Sequence, residues 1–368
     1  MKIPFCIPHL WGNELEYLRQ ALAAGELSSS GRFVARLEEA FAAFCRAPHA
    51  IACMNGTVAC QLAWAAAGIG AGDEVICPAF TMMSPIFALL HLGARPRFVD
   101  ADATWQLDPA LVEAAITERT RAILAVHIYG HPCDMDALRR IADRRGLLLL
   151  EDAAEAHGGE VRGRRTGALG DVSAFSFYAN KIVTTGEGGI VVTSDPEIAA
   201  RARSLRNLAF GDTAETRFIH KGVGFQFRMS NLQAAVGVAQ LEHIDEAIAQ
   251  KIWIADRYGE RLAAVRGLVL PPRSDWARNV FWVYGVLVTE EFGVTRVELA
   301  RVLAEQGIET RTFFYPAHRQ VMFADQPHPP MPWSDRLWEQ GLYLPSYIGM
   351  TEDTIERVVN AIVEAGPR

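Results

Sequence analysis

Short apolar runs alternate with amphipathic stretches through residues 50 to 205 of the chain. The apolar runs predict strands at Ala50–Cys53, Glu74–Cys77, Arg97–Val99, Ala122–Val126, Leu147–Glu151, Val172–Ser176 and Gly189–Thr193. Stretches between them repeat apolar positions at helical spacing and predict helices at Thr57–Ala67, Pro85–Leu92, Pro109–Thr117, Met135–Arg145 and Pro196–Leu205. This alternation predicts an α/β fold with a mostly parallel, seven-stranded sheet between helices, in which ligands bind at the carboxyl ends of the strands.

The pattern changes after residue 230. Residues 231 to about 264 contain few helix breakers and predict one long helix, which a proline-containing loop follows. Three further elements are predicted beyond that loop: a strand at Phe281–Val288, a helix at Val297–Gln306 and a final helix at Thr351–Glu364. We therefore predict a large domain over residues 1–245 and a smaller α+β domain over 246–368, with residues 1–25 packing against the small domain.

Composition narrows the classes of protein that fit this outline. Half of the 368 residues are hydrophobic, which allows a sizeable core, and the net charge of −7 argues against a nucleic-acid-binding protein. No membrane contact is expected, because no apolar run approaches the roughly 20 residues that span a bilayer and prolines interrupt the N-terminal segment. Six cysteines without a C-x-x-C pair predict reduced, mostly buried thiols in a cytoplasmic protein, and no metal site is expected.

An acid and a lysine stand close to the ends of predicted strands. Glu151 and Asp152 close the run LLLLED, and Lys181 lies between FSFY and the glycine-rich GEGG. An amine can hold a carbonyl cofactor as an imine, and a carboxylate beside a pyridine nitrogen keeps the ring protonated as an electron sink. Taken singly, the acid fits a surface or capping residue and the lysine fits a solvated charge. Their occurrence together indicates a cofactor site.

The segment Asn55–Thr57 joins a predicted strand to a predicted helix. A helix N-terminus offers free N–H groups and a partial positive charge to a phosphate, and the hydroxyls of Thr57 and Ser176 add donors. The same segment also fits an ordinary turn followed by an N-cap. Beside Asp152 and Lys181 it fits the phosphate end of a cofactor with a carbonyl group and a pyridine ring, which is pyridoxal 5′-phosphate (PLP).

Motifs over most of the chain resemble those of the DegT/DnrJ/EryC1/StrS family of sugar aminotransferases, which are PLP enzymes of fold type I. They are NGT (55–57), GDEVICPAFT (72–81), FVDAD (98–102), VHIYGHPCDMD (126–136), EDAAEAHG (151–158), GDVSAFSFYANK (170–181), TTGEGG (184–189) and RMSNLQAA (228–235). The resemblance implies that Lys181 carries PLP as a Schiff base and then acts as general base. It also implies that Asp152 holds the pyridine nitrogen and that Gly56, Thr57 and Ser176 bind the phosphate.

The resemblance assigns further residues around the cofactor ring. It implies that Ala154 packs on one face of the ring and that Glu155 lies near its phenolic oxygen. Met82 stands where the family often has an aromatic residue stacked on the ring. Gln226 stands where the family has an asparagine that reaches the phosphate bound by the neighbouring subunit. Because members of the family are homodimers with shared active sites, Gln226 is expected to act in trans.

Three segments, FSFYANK, TTGEGG and GIETRTFFYPAH (307–318), together with Glu155, resemble the perosamine-synthase branch of the family. That branch aminates GDP-4-keto-6-deoxymannose at C4 with L-glutamate as the amino donor. The implied reaction is ping-pong, with pyridoxamine phosphate left on the enzyme between the two halves.

Alternatives stay open on the substrate and on some contacts. A dTDP- or UDP-linked keto sugar, or another keto sugar, is the runner-up substrate. A PLP sugar dehydratase is less expected, because those relatives have histidine in place of the lysine. Substrate contacts are expected from His220, Arg228, Tyr315 and His318. Arg228 fits a structural ion pair equally well, and Tyr315 and His318 equally fit a polar loop.

Overall fold

The computed structural model describes residues 2–366. Its α-helices are, in chain order, α1 (Asn13–Ala23), α2 (Arg32–Cys45), α3 (Gly56–Ala66), α4 (Ser84–His91), α5 (Pro109–Ala115), α6 (Met135–Arg145), α7 (Pro196–Arg206), α8 (Asn231–Leu241), α9 (Ile244–Leu262), α10 (Arg296–Glu305), α11 (Pro332–Gln340) and α12 (Glu352–Ala365). Its strands are β1 (His49–Cys53), β2 (Glu74–Pro78), β3 (Arg95–Val99), β4 (Thr120–Val126), β5 (Leu148–Asp152), β6 (Glu160–Val161), β7 (Arg164–Arg165), β8 (Val172–Ser176), β9 (Gly189–Thr193), β10 (Leu268–Val269), β11 (Ala277–Arg278), β12 (Tyr284–Val288), β13 (Arg311–Thr312) and β14 (Gly341–Leu344).

Seven strands form the large sheet, in the order β1-β9-β8-β5-β4-β2-β3. The pairs from β8 to β3 are parallel, whereas β9 runs antiparallel to both β1 and β8. Every residue of β2, β8 and β9 is buried, as expected for a sheet that helices cover on both faces. The predicted α/β fold with a mostly parallel, seven-stranded sheet is confirmed.

Parallel pairing brings the ends of β5 and β8 to one edge of this sheet. Asp152 is the last residue of β5 and Ser176 is the last residue of β8. Helix α3 packs against β8 and β9, and its first residue, Gly56, lies against Ser176. The start of α3 therefore faces the same edge, and together these three elements form the ligand crevice that the strand–helix alternation predicts.

A second sheet, in the order β10-β12-β14-β13, lies in the C-terminal part of the chain. Helices α9, α10 and α12 contribute to a second apolar core there, with Tyr258, Leu299 and Val358 among its buried members. Ile3 belongs to the same core, and its N–H donates to the carbonyl of Gly307 at 2.8 Å. Helix α1, by contrast, packs against α8. The domain boundary at residue 245 stays a prediction.

The single long helix expected over residues 231 to about 264 is wrong, because the segment forms two helices, α8 and α9. The break falls at Glu242 and His243. Glu242 accepts hydrogen bonds from side chains of α1 and α2 at 2.6 to 2.9 Å, and the His243 ring stacks on Trp11 with centroids 4.8 Å apart. Contacts from the N-terminal part of the chain therefore fix the break against the local helix propensity.

The strand expected over 281–288 begins later, at Tyr284. Phe281 has a φ of +49°, a left-handed conformation that a strand ladder cannot accommodate. Its N–H donates to the side chain of Asn279 at 2.8 Å, which stabilises the turn. This turn directs the next residue, Trp282, into the ligand crevice.

The six cysteines are free thiols, and all except Cys6 are buried. Over residues 2–366, none of the helices combines the length and the apolar character needed to cross a membrane.

Candidate active site

A cavity of about 730 Å³ opens at the carboxyl edge of the large sheet. This volume lies within the range of roughly 300–1,000 Å³ that is usual for small-molecule sites. Eight of the residues singled out in the sequence line it: Gly56, Thr57, Met82, Asp152, Ala154, Glu155, Ser176 and Lys181. The fold therefore brings together residues that are up to 125 positions apart in the chain (181 − 56).

The first turn of α3 forms one end of the cavity. The side chain of Asn55 caps the helix by accepting the N–H of the third helical residue at 3.0 Å. The N–H groups of Gly56 and Thr57 come earlier, where a helix offers no internal partner. A Cβ on Gly56 would stand 2.6 Å from the Cβ of Ser176, so glycine is what permits this close approach. Free N–H groups and two hydroxyls at a helix N-terminus suit a phosphate group.

Asp152 lies on the opposite side of the strand from its neighbour Glu151, because side chains alternate along a strand. It is buried, with 4% of its surface exposed. One carboxylate oxygen accepts the N–H of Ala154 at 3.0 Å, and the other faces the thiol of Cys60 at 3.8 Å. Burial raises the pKa of Asp152, although the Ala154 N–H and the charge of Lys181 act to lower it. A cationic donor in the cavity would stabilise this carboxylate.

Glu155 is a second buried carboxylate of the cavity. Its Oε2 accepts the N–H of Tyr129 at 2.9 Å, and its Oε1 lies 3.4 Å from Nζ of Lys181. Tyr129 has a φ of +60°, an uncommon conformation for a residue with a side chain. The hydroxyl of Tyr129 also accepts the N–H of Phe314 at 3.1 Å. Burial raises the pKa of Glu155, and the charge of Lys181 opposes that rise.

Lys181 follows β8 in an irregular turn, and 10% of its side chain is exposed. Its Nζ lies between the carboxylate of Glu155 and the face of Trp282, 3.6 Å from the ring centroid. The carbonyl oxygen of the preceding residue, Asn180, accepts the indole N–H of Trp282 at 2.7 Å. A buried amine thus stands between an anion and an aromatic face.

Several cavity residues were missed by reasoning from the sequence. They come from the N-terminal segment and from the part of the chain that carries the second sheet, and they are Phe5, Trp282, Arg311, Phe314 and Tyr343. Arg311 and Phe314 stand inside GIETRTFFYPAH, from which they could have been chosen. No local signal marks Phe5 or Trp282, because only the tertiary fold brings them beside Lys181.

Three of the expected contact residues lie outside this cavity, in the segment between α7 and α8. Gln226 is exposed, and its Oε1 accepts the N–H of Arg228 at 3.2 Å. The guanidinium of Arg228 donates to Asn207 at 2.8 Å and lines a surface pocket with other arginines. His220 is exposed, with Nδ1 2.7 Å from the carbonyl oxygen of Leu208. Their expected roles toward a cofactor or substrate stay predictions.

Tyr315 and His318 also lie outside the residues that line the cavity. Tyr315 packs edge-on against Trp338, with ring centroids 5.1 Å apart. His318 is buried with Nε2 3.5 Å from Asp335, and burial lowers its pKa. Their expected role as substrate contacts stays a prediction.

The large sheet and this cavity define a PLP enzyme of fold type I, in which a lysine, an aspartate and a helix N-terminus line one cavity. The model of the DegT/DnrJ/EryC1/StrS aminotransferase family matches residues 9–363, and the chain belongs to that family. It is therefore a PLP-dependent sugar aminotransferase.

Relatives and solved structures match over nearly the whole chain. The GDP-perosamine synthase of Caulobacter vibrioides is 42% identical over 363 residues, which cover 98% of this chain and 97% of the relative. The GDP-perosamine synthase of Vibrio cholerae is 39% identical over 362 residues, which cover 98% of each chain. The crystal structure of S. venezuelae DesV in complex with a ketimine intermediate has a TM-score of 0.92 and 38% identity, covering 100% of this chain and 99% of that one.

The cavity fits PLP in three respects. The first N–H groups of α3 have no partner within the helix, and the lack of a Cβ on Gly56 lets this helix start lie against Ser176 and its hydroxyl, so these donors can bind a phosphate. The buried carboxylate of Asp152 has one N–H and one thiol beside it, and a protonated pyridine nitrogen would supply the cationic donor. Lys181 supplies the amine that a carbonyl cofactor requires.

Proposed function

We propose that this enzyme transfers an amino group from L-glutamate to C4 of GDP-4-keto-6-deoxymannose in the cytoplasm, as a step in perosamine-type sugar synthesis. The observation that carries the proposal is the 42% identity to a GDP-perosamine synthase over 98% of the chain. The relative of Vibrio cholerae supports the same substrate at 39% identity.

The residues of the cavity have separate roles in this proposal. When bound, PLP supplies a carbonyl group for amine exchange and a pyridine ring that draws electrons from the carbon being deprotonated. Lys181 would hold the cofactor and, once its Nζ is free, would move a proton at the reacting carbon of the substrate. Asp152 would keep the pyridine nitrogen protonated, which also relieves its own buried charge. The first N–H groups of α3 and the hydroxyls of Thr57 and Ser176 would bind the phosphate.

Three further side chains would contact the cofactor ring or the lysine amine beside it. Ala154 and Met82 both line the cavity, and we assign them to the two faces of the ring. A thioether makes favourable contacts with aromatic rings, so Met82 can replace the more usual aromatic residue. Glu155, 3.4 Å from Lys181, would hold the detached amine close to the reacting carbon.

We further propose a homodimer in which the partner subunit's Gln226 contacts the phosphate. The loop that precedes Gln226 exposes large apolar side chains, with 78% of Phe218 and 91% of Val223 accessible. Met82, at the mouth of the cavity, is 48% exposed. Large apolar side chains that are exposed in this way are typical of an interface between chains.

The substrate proposal is tested by following the visible absorbance of the purified protein. We expect a yellow complex with PLP, loss of the colour on addition of glutamate, and its return on addition of GDP-4-keto-6-deoxymannose, with an amino sugar detected by mass spectrometry. Lys181→Ala should abolish all three changes, whereas Lys2→Ala, at an exposed lysine, should preserve them. Return of the colour only with dTDP- or UDP-linked keto sugars would contradict the GDP-linked substrate. Absence of colour in the folded wild-type protein would contradict the role of Lys181.

The homodimer proposal is tested by mixing two variants, each of which lacks one of the two residues that a complete site would need. In a mixed dimer of Lys181→Ala and Gln226→Ala subunits, one site combines an intact Lys181 with the intact Gln226 of the partner subunit. If Gln226 acts in trans, mixing should restore PLP affinity and activity at one of the two sites of each mixed dimer, which is about a quarter of all sites when equal amounts exchange at random. Gln326→Ala, at another exposed glutamine, serves as the matched control and should behave as wild type. Absence of restoration in dimers that demonstrably exchange subunits would contradict the trans contact.

A further inference from the structure

Trp282 contacts the segment that carries Lys181 at two points. The face of its ring lies 3.6 Å from Nζ of Lys181, measured to the ring centroid. Its indole N–H donates to the carbonyl oxygen of Asn180 at 2.7 Å. Trp282 is 5% exposed and belongs to the same buried core as the large sheet, so its ring has little freedom to move.

We propose that Trp282 is a positioning residue for Lys181. Its ring holds the protonated amine over one face, and its N–H holds the peptide group between Asn180 and Lys181 in place. The proposal rests on the proposed role of Lys181 in holding the cofactor and moving the proton.

The ring contact places the amine over an aromatic face. A cation over an aromatic face is stabilised, most strongly over tryptophan, and the effect grows where water is excluded. Lys181 has 10% of its side chain exposed, and its Nζ faces the Glu155 carboxylate as well as the ring. A lysine that has just accepted a proton from substrate is therefore stabilised in one place, between these two groups, from which the proton can be returned.

The amine is held there by contacts that it can leave. Its distance to Glu155 is 3.4 Å, a long hydrogen bond, and the ring contact has no directional bond to break. Lys251, a buried lysine, differs in this respect, because its Nζ donates to both the carbonyl and the hydroxyl oxygen of Ser346. The arrangement around Lys181 suits a side chain that must alternate between two positions, whereas that around Lys251 suits a fixed one.

The N–H contact acts on the backbone. Asn180 and Lys181 lie in an irregular turn after β8, where no sheet ladder holds them. The indole N–H is a strong donor to the Asn180 carbonyl, whereas the thiol of Cys6, at 3.7 Å, is a weak one. Without the indole, a carbonyl in the wall of the cavity loses its principal partner, and the turn that positions Lys181 loosens.

The charge effect can be measured in the cofactor-free protein by competitive acylation of its lysines. The chain has four, Lys2, Lys181, Lys221 and Lys251, so mass spectrometry can follow each separately, with exposed Lys2 as the internal reference. Acylation requires the unprotonated amine. The rate for Lys181 at pH 7, divided by its rate at a pH where labelling no longer rises, therefore reports the unprotonated fraction. A change in accessibility alone alters both rates and cancels in this ratio.

We expect Trp282→Leu to raise this ratio by about 2- to 30-fold, the range that corresponds to loss of a cation–π contact. Trp282→Phe keeps a weaker ring and lacks the N–H, so it should raise the ratio less but lower kcat, with little change in the KM for glutamate. Glu155→Gln, which removes the anion beside Nζ, is the positive control and should raise the ratio as well. Trp105→Phe, at another buried tryptophan of the same core, should leave it unchanged.

An unchanged ratio in folded Trp282→Leu protein would overturn the charge role. If that variant does not fold, Trp282→Phe decides, and wild-type values of both the ratio and kcat would overturn the proposal. Failure of the proposed role of Lys181 has a different signature. In that case borohydride would not fix PLP to the peptide containing Lys181 in the wild-type protein, whatever the labelling ratio.

Discussion

The replacement Gly56→Ala tests whether the first turn of α3 binds the cofactor phosphate. The added Cβ would stand 2.6 Å from Cβ, 2.8 Å from Oγ and 3.2 Å from Cα of Ser176. Carbon atoms in contact are normally about 3.5–4.0 Å apart, so the helix start and β8 must separate by about 1 Å. Ser176 cannot give way by changing its rotamer, because the nearest atom is its Cβ.

The size of the effect follows from that separation. Overpacking of this kind costs about 1–3 kcal/mol of stability, and the helix preference of alanine over glycine offsets up to about 1 kcal/mol. A shift of about 1 Å removes at least one N–H from hydrogen-bonding distance of a phosphate, and a bond to a charged group contributes about 1.5–3 kcal/mol. We therefore expect PLP affinity to fall by about 10- to 150-fold, more than the loss of stability explains.

The two quantities are measured separately on the cofactor-free protein. Fluorescence titration with PLP gives the affinity, and thermal unfolding without PLP gives the stability. Gly70→Ala is the matched control, because a Cβ at Gly70 meets no atom within 4 Å. A PLP affinity within about threefold of wild type for Gly56→Ala would refute the placement of the phosphate at this helix start.

Three other substitutions give distinct outcomes. Asp152→Asn should lower the rate of the glutamate half-reaction by at least about 100-fold, because a neutral side chain cannot hold a protonated pyridine nitrogen. Stopped-flow absorbance measures this rate, and a rate close to that of the wild type would contradict the role of Asp152. Met82→Phe should tighten PLP binding by about 2- to 10-fold through ring stacking, and looser binding in a titration would contradict its place beside the ring. Burial acts to raise the pKa of Glu151, but hydrogen bonds from His127, Gly167 and Gly170 outweigh it and hold the pKa below the ordinary 4.5. The stability that this carboxylate supplies is therefore complete above pH 4.5 and is lost as pH falls through the lower folded-state value. Glu151→Gln should lower the free energy of unfolding by about 3 kcal/mol at pH 7 and should weaken its fall below pH 4.5, as measured by denaturant unfolding. An unchanged fall at low pH would contradict the argument.

The sheet could be predicted from the sequence because its signal is local. Each strand of the large sheet is a short buried run between helical patterns, and all seven observed strands begin and end within two residues of the predicted ones. The positions of residues at the ends of those strands, such as Asp152 and Ser176, could therefore be predicted equally well. The parallel arrangement then dictates that their side chains meet at one edge.

Features that depend on contacts between distant segments escaped prediction. The helix break at Glu242 depends on side chains of α1 and α2, more than 200 residues earlier in the chain (242 − 36). Trp282 reaches Lys181 because Phe281 adopts a left-handed turn, and phenylalanine carries no sequence signal for that conformation. Phe5 enters the cavity because Ile3 pairs with the backbone around Gly307. None of these causes can be read from a window of neighbouring residues.

Glu151 and Asp152 show how one strand end separates two acids into different roles. Both are buried, and the sequence alone offers either of them to a ligand. The period of two along β5 turns Glu151 to the far side, where His127 at 3.0 Å and the N–H groups of Gly167 and Gly170 satisfy it. Asp152 faces the cavity with one N–H and a thiol, and burial raises its pKa. A buried carboxylate that receives enough hydrogen bonds from the protein contributes to stability. A buried carboxylate with too few donors is stabilised by a cationic group of a bound ligand, and this is why Asp152 is the residue suited to the cofactor nitrogen.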